Sequence, residues 1–157
     1  MSSVTPTDLT LRPARAEDRA ALGELFWTTR AAAVPAMPRL VRSRDDIVNF
    51  YRELDLEDGR EVWVAEGADE LLGFVELKRD WVDDLYVHPD HQGAGVGTAL
   101  LELVKALRPA GFGLWVFESN LPARAFYAAR GLVELDLTDG SDNEEHAPDI
   151  RMEWRGI

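Results

Sequence analysis

The chain contains no cysteine among its 157 residues. That removes disulfides, cysteine-ligated zinc and a thiol nucleophile at once, and it suits a reducing cytoplasm, the expected location. Positive charge is also scarce: Lys plus Arg number 17 against 29 for Asp plus Glu, a formal net charge of −12. So acidic a surface repels phosphate backbones, and no nucleic-acid partner is expected. The same charge suits cationic acceptors such as amines, while solubility alone would also account for it. No apolar run approaches the ~20 residues of a membrane span. The N-terminal MSSVTPTDLTLRPA lacks the basic and apolar regions of a secretory signal. Neither a membrane partner nor a metal is expected.

What is present suffices for one domain. Hydrophobic residues make up 46% of the chain, enough for a full core. Residues 1–7, rich in Ser, Thr and Pro, are expected to be a flexible leader, and 8–157 a single domain. Leu9 and Leu11 alternate with polar neighbours as a first strand. Ala16 to Ala33 and the stretch after Ser43 carry helical apolar spacing, with Ser43 and Asp46 at capping-box positions. Glu61–Glu66 and Leu71–Lys78 read as a hairpin. Asp83–Val87, Phe112–Phe117, Leu132–Leu137 and Ile150–Arg155 supply further strands, and Thr138–Asp149 an acidic loop. Only Asp83–Val87 and Phe112–Phe117 are joined by the helical crossover that parallel pairing needs. The expected fold is α/β: a mixed, largely antiparallel sheet with one parallel strand pair and about four helices.

The organising stretch is Trp81 to Leu107, a strand, a glycine-rich turn and an amphipathic helix. The turn is Gln92-Gly93-Ala94-Gly95-Val96-Gly97-Thr98, and Leu100, Leu103, Val104 and Leu107 follow at helical spacing. Small residues let backbone approach an anion where the helix dipole is positive, so the turn predicts a phosphate site. Packing glycines in a plain tight turn are one alternative. A dinucleotide turn is another, opposed by Thr98 at the third glycine position and by five residues between strand and glycines. A P-loop fails because no Lys-Ser/Thr follows.

The hexapeptide Gln92–Gly97 resembles the (Arg/Gln)-x-x-Gly-x-(Gly/Ala) motif of the GNAT superfamily of acetyl-CoA-dependent N-acetyltransferases. Trp115 to Leu132 resembles the second motif of that family: a strand ending before an Asn, a short helix with an aromatic-Tyr pair, and a Gly before the next strand. Here Leu132 replaces the usual Phe. The two stretches span about a third of the chain, and the element order agrees elsewhere.

The resemblance implies that the two parallel strands splay around acetyl-CoA or coenzyme A. Leu85, Tyr86 and Val87 would then meet the pantetheine through main-chain atoms, and Gln92, Gly93, Ala94, Gly95, Val96, Gly97 and Thr98 would take the diphosphate. Asn120, Ala123, Phe126 and Tyr127 would line the other side. Tyr127, with an ordinary phenol pKa of ~10, can give a proton to the departing thiolate; ordinary packing is its alternative role. A backbone N–H near Val87 would steady the oxyanion.

Candidates for the base that takes the ammonium proton are Asp84, then Asp83, then Glu118, with Glu76 on the preceding strand. Strand alternation predicts that only one of Asp83 and Asp84 faces the cleft. Some family members carry an acid five residues before the motif Asn; here that residue is Trp115, so a water relay is the alternative. His88 and His91 flank the turn as caps, His146 lies in the acidic loop, and their spacing does not suggest a metal site.

The resemblance places the acceptor floor in the first two helices and the late loop, with Trp27, Arg30, Tyr51, Glu118 and Glu144 as candidate contacts. Arginines there could hold a carboxylate, and glutamates a polyamine or aminoglycoside cation; the residues leave both open. The implied function is acetyl transfer to a primary amine of a small molecule or peptide by direct attack, with a homodimer compatible. A non-catalytic acyl-CoA-binding domain is the alternative, and a dinucleotide oxidoreductase a third.

Overall fold

The computed structural model describes residues 9–157, so the expected leader at 1–7 lies outside the described residues. In chain order the elements are β1 (Thr10–Pro13), α1 (Arg19–Ala32), α2 (Arg44–Arg52), β2 (Arg60–Gly67), β3 (Glu70–Lys78), β4 (Trp81–Val87), α3 (Val96–Leu107), β5 (Phe112–Phe117), α4 (Leu121–Ala129), β6 (Val133–Leu137) and β7 (Asp149–Trp154). The strands form one sheet in the order β1-β2-β3-β4-β5-β7-β6, and only β4 and β5 run parallel. The expected mixed sheet is therefore the observed one.

Local chemistry explains the boundaries. The helical pattern from Ala16 begins with one 3-10 turn, where the Asp18 carboxylate accepts from Arg15 N (2.7 Å) and pairs with Arg12. Ser43 Oγ accepts from Asp46 N at 3.2 Å and starts α2. Ala68 and Asp69 both take positive φ between β2 and β3, which is how a two-residue hairpin matches strand twist.

Each face of the sheet carries its own core. Leu22 and Leu25 of α1 and Ile47 and Tyr51 of α2 pack on Val62, Val64 and Phe74. On the other face Val96, Leu100, Leu101 and Val104 of α3 meet Val75, Leu77, Leu114 and Met152. Gly73 lets α3 come this close, because a Cβ there would press on Leu100, Val96 and Tyr86 O.

The parallel seam differs from expectation in extent. β4 begins at Trp81, and only Trp81 and Val82 pair with β5, opposite Gly113 and Leu114. The cause lies on the other edge of β4. Lys78 pairs with Trp81 and Leu77 with Val82, but Glu76 pairs with Asp84, leaving Asp83 as an extra residue. Such a bulge bends and twists the strand that carries it, and beyond it β4 leaves β5. The Trp81 ring fills the apex of the wedge, over Gly113, where no side chain would fit.

Candidate active site

The opening between β4 and β5 is the mouth of a cavity of about 1060 Å³. One wall is β4 from Val82 to Val87; the opposite wall is β5 with α4. Val87 O accepts from Gln92 Nε2 at 3.1 Å, on the side away from β3, whereas His88 N donates to Leu72 O in the sheet. Alternation therefore turns the Leu85 and Val87 amides toward the opening as well.

At one end lies the glycine turn. Gly93 and Gly95 take φ of 82° and 89°, the left-handed region that favours glycine. Asn120 caps α4 by accepting from Ala123 N (3.4 Å), but Gly95 leaves α3 without a side-chain cap. The first N–H groups of α3 are thus free for an anion. Gln92, Gly93, Gly95, Gly97 and Thr98 line the cavity; Val96 points into the core and Ala94 lies off the lining. Asn120, Ala123, Phe126 and Tyr127 line it from α4.

At the other end are carboxylates. Asp83 and Asp84 both line the cavity, contrary to the expectation that only one would. Strict alternation fails because the bulge sits at Asp83. Glu76, only 5% exposed, lies opposite Asp84 across the ladder. Arg60 Nε approaches Glu76 Oε1 to 3.3 Å. Burial pushes Asp84 well above the usual carboxylate range, and the neighbouring Glu76 adds to the shift. Burial raises Glu76 too. Two buried acids so close favour holding one proton between them. Burial first, and then the Asp84 charge, also raises the Tyr127 hydroxyl above its ordinary value.

The expected acceptor contacts divide differently. Arg30 lines the cavity, but its NH2 already meets Glu145 Oε1 at 3.3 Å and Pro38 O at 3.1 Å, and its guanidinium lies over the Phe117 ring. Glu144 is paired with Arg42 (2.5 Å) and lies off the lining. Trp27 packs in the α1–α2 core, and Tyr51, 2% exposed, is locked edge-on against Phe74. Glu118 is exposed beyond the end of β5, outside the lining. These four are not brought to the cavity. In their place the connector from Val34 to Met37 lines it, with Trp115, Asn143 and Asp149. His88 does cap a turn, accepting from Asp90 N at 3.1 Å, while His91 bonds Glu70.

Residues 19–132 match the model of the Acetyltransferase (GNAT) family. The chain belongs to the GNAT acetyltransferase family. It is 34% identical over 104 residues to an uncharacterized N-acetyltransferase of Archaeoglobus fulgidus, covering 55% of this chain and 69% of that one. It is 33% identical over 137 residues to a streptothricin acetyltransferase of Streptomyces lavendulae, covering 73% and 70%. A peptidyl-lysine N-acetyltransferase YjaB of Salmonella typhimurium is 38% identical over 71 residues, 45% of this chain and 48% of the relative. Among solved structures, apo YjaB of Escherichia coli superposes with a TM-score of 0.75 at 24% identity, covering 95% and 99%. A PaiA N-acetyltransferase of Thermoplasma acidophilum in complex with coenzyme A gives 0.69 at 22% identity, covering 94% and 98%. Acetyl-CoA/coenzyme A is the cofactor of this GNAT domain, and the residues fit it: an uncapped α3 N-terminus and an unpaired strand edge open on one cavity.

Sequence reasoning missed three features. Asp149 closes the acidic loop and opens β7, and no motif distinguishes it from the loop's other acids. The bulge at Asp83 is invisible to alternation. Arg130, which lines the cavity, was legible: it stands four residues after Phe126, on the same helical face.

Proposed function

We propose that this GNAT domain acetylates a primary amine by direct attack, with Asp84 as base and Tyr127 as acid. Acetyl-CoA supplies the acetyl thioester. The α3 turn would hold its phosphates and the Leu85 and Val87 main chain its arm, with Asp84 and Tyr127 on the same cavity. Asp84 takes the proton of the incoming ammonium, so the nitrogen arrives neutral. Glu76, beside it in the apolar sheet interior, keeps that carboxylate basic by charge repulsion. Tyr127 Oη would give its proton to the departing sulfur and recover one from the nitrogen as the amide forms; burial makes the oxygen–hydrogen dipole count for more. The Val87 N–H faces the opening as a donor to the developing oxyanion.

The acceptor reading follows from which charges are already spent. Arg30 and Arg42 are neutralised by Glu145 and Glu144, so neither is free for a carboxylate-bearing acceptor. Asp149 accepts from neutral donors, the Thr138 hydroxyl and Asn143 Nδ2, has no salt-bridge partner among the described residues, and lines the cavity. A cationic amine, small-molecule or peptidyl, is the fitting acceptor. Cytoplasmic location is part of this reading; a homodimer is compatible with it.

One observation carries the proposal: Asp84, Tyr127 and the uncapped turn border the same cavity. Purified protein given acetyl-CoA and a panel of amines should release free thiol, and Asp84→Asn should abolish most of that release. Coenzyme A binding with no thiol release for any amine would favour a non-catalytic acyl-CoA-binding domain instead.

A further inference from the structure

Two arginines line the cavity, and they differ in one respect. Arg30 is paired with Glu145. Arg130 has no carboxylate partner among the described residues, although eight other arginines of this acidic chain do. Arg130 is nonetheless tightly held. Its guanidinium stacks on the Phe126 ring at 3.9 Å. Its Nε and NH2 donate to Thr98 Oγ1 at 3.2 and 2.9 Å, and NH1 donates to Phe126 O at 3.0 Å. A guanidinium has five N–H groups, so about two remain, on a group whose orientation is fixed in advance.

The partners locate this cation. Thr98 is the third residue of α3, in its uncapped first turn. Phe126 packs against Gly97, whose added Cβ would meet the ring at 3.3 Å. At the turn end of the cavity Arg130 is the only cationic side chain on the lining among the described residues. A chain of net charge −12 repels an anionic cofactor at long range, so local positive charge must offset that repulsion. An uncharged partner would not need a guanidinium kept free of acids amid such an excess of them. Arginine presented by stacking and a hydroxyl is suited to planar, two-point recognition of phosphate oxygens.

We propose that Arg130, positioned by Thr98 and Phe126, is a phosphate-binding residue for coenzyme A and supplements the α3 amides. The inference rests on the cofactor reading above and adds a side chain to it. It also changes the part played by Thr98, whose hydroxyl accepts from Arg130 and so orients the guanidinium as well as bordering the turn. Both the diphosphate and the 3′-phosphate of coenzyme A offer the required oxygens.

Calorimetry with coenzyme A and with 3′-dephospho-coenzyme A tests this without relying on turnover. Arg130→Ala should raise the Kd for coenzyme A roughly tenfold or more, as expected for losing a charge-assisted bond, and should flatten the salt dependence of binding. Arg130→Lys should recover only part of the affinity, because an ammonium neither stacks nor forks. Loss on coenzyme A alone assigns Arg130 to the 3′-phosphate; equal loss on both ligands assigns it to the diphosphate. Unchanged affinity for both in Arg130→Ala and Arg130→Lys, with melting temperatures near wild type, would overturn the proposal. Wild-type protein that binds neither ligand would overturn the cofactor reading itself, and this inference with it.

Discussion

At the glycine turn the cavity wall is mostly backbone: amides of α3, the free edge of β4 and glycines that keep both bare. At the acceptor end the wall is side chains tied together from segments far apart in sequence. Arg30 of α1 reaches Glu145, Arg42 reaches Glu144, and Ser119 Oγ donates to Ala36 O at 2.6 Å. Backbone recognition depends on spacing, so it is written in short motifs. Side-chain recognition depends on which charges neutralise one another, and that is settled only after folding. A backbone wall suits one constant ligand; a side-chain wall can be re-specified by exchanging a few ion pairs.

The comparison can be broken at either end. The largest effect is expected at the junction: Asp84→Asn should lower kcat/KM by about 10²–10⁴-fold while leaving acetyl-CoA affinity within about twofold. In wild type, activity should climb with pH through a limb above the ordinary carboxylate range, since Asp84 is raised and only its deprotonated form is a base; the variant should lack that limb. Arg30→Ala should rank next. It strands Glu145, 11% exposed at its side chain, and should cost roughly 3–5 kcal/mol of stability, read by urea melts, with the double variant Arg30→Ala/Glu145→Ala recovering part of it. Tyr127→Phe should reduce kcat by about 10²-fold at an unchanged Kd for coenzyme A. Equal turnover with and without the hydroxyl would remove Tyr127 from the chemistry. Gly95→Val, at φ 89°, should cost about 1–3 kcal/mol and weaken coenzyme A binding, with the acceptor KM little altered.

The smallest effect is a gain. A carboxyl whose pKa is raised on folding stabilises the native state below its unfolded pKa, and that contribution is lost as pH rises through the folded value. Asp84 and Glu76 both shift this way. Asp84→Asn should therefore melt about 2–4 °C higher than wild type at pH 8, and the difference should vanish in acid. A variant no more stable at pH 8 than at pH 4, relative to wild type, would contradict the buried acid pair.

How far the sequence could be read follows the same division. The glycine turn and the Asn120 cap were legible as local structure because helix caps and left-handed glycines require particular residues at particular spacings, although Ala94 and Val96 do not reach the cavity. The β2–β3 hairpin followed from its turn and the parallel pair from the one crossover, whereas the edge place of β1 and the insertion of β7 between β5 and β6 have no local sign. Trp27, Tyr51 and Glu144 were misplaced as acceptor contacts because aromatic packing and a cross-chain ion pair decide their directions, and neither has a local sign. The Asp83–Asp84 reading failed for a narrower reason. Counting back from the Arg79–Asp80 turn places Glu76 opposite Asp83; one inserted residue moves the pairing to Asp84.

That residue has a genetic consequence. Losing a single codon at position 83 would leave composition, charge pattern and both motifs nearly untouched. It would also straighten β4, let it zip to β5 along its length, and shut the passage the cofactor needs. The opening between β4 and β5 therefore hangs on the arithmetic of one strand, and in-frame deletions here should be far more damaging than most substitutions at the same site.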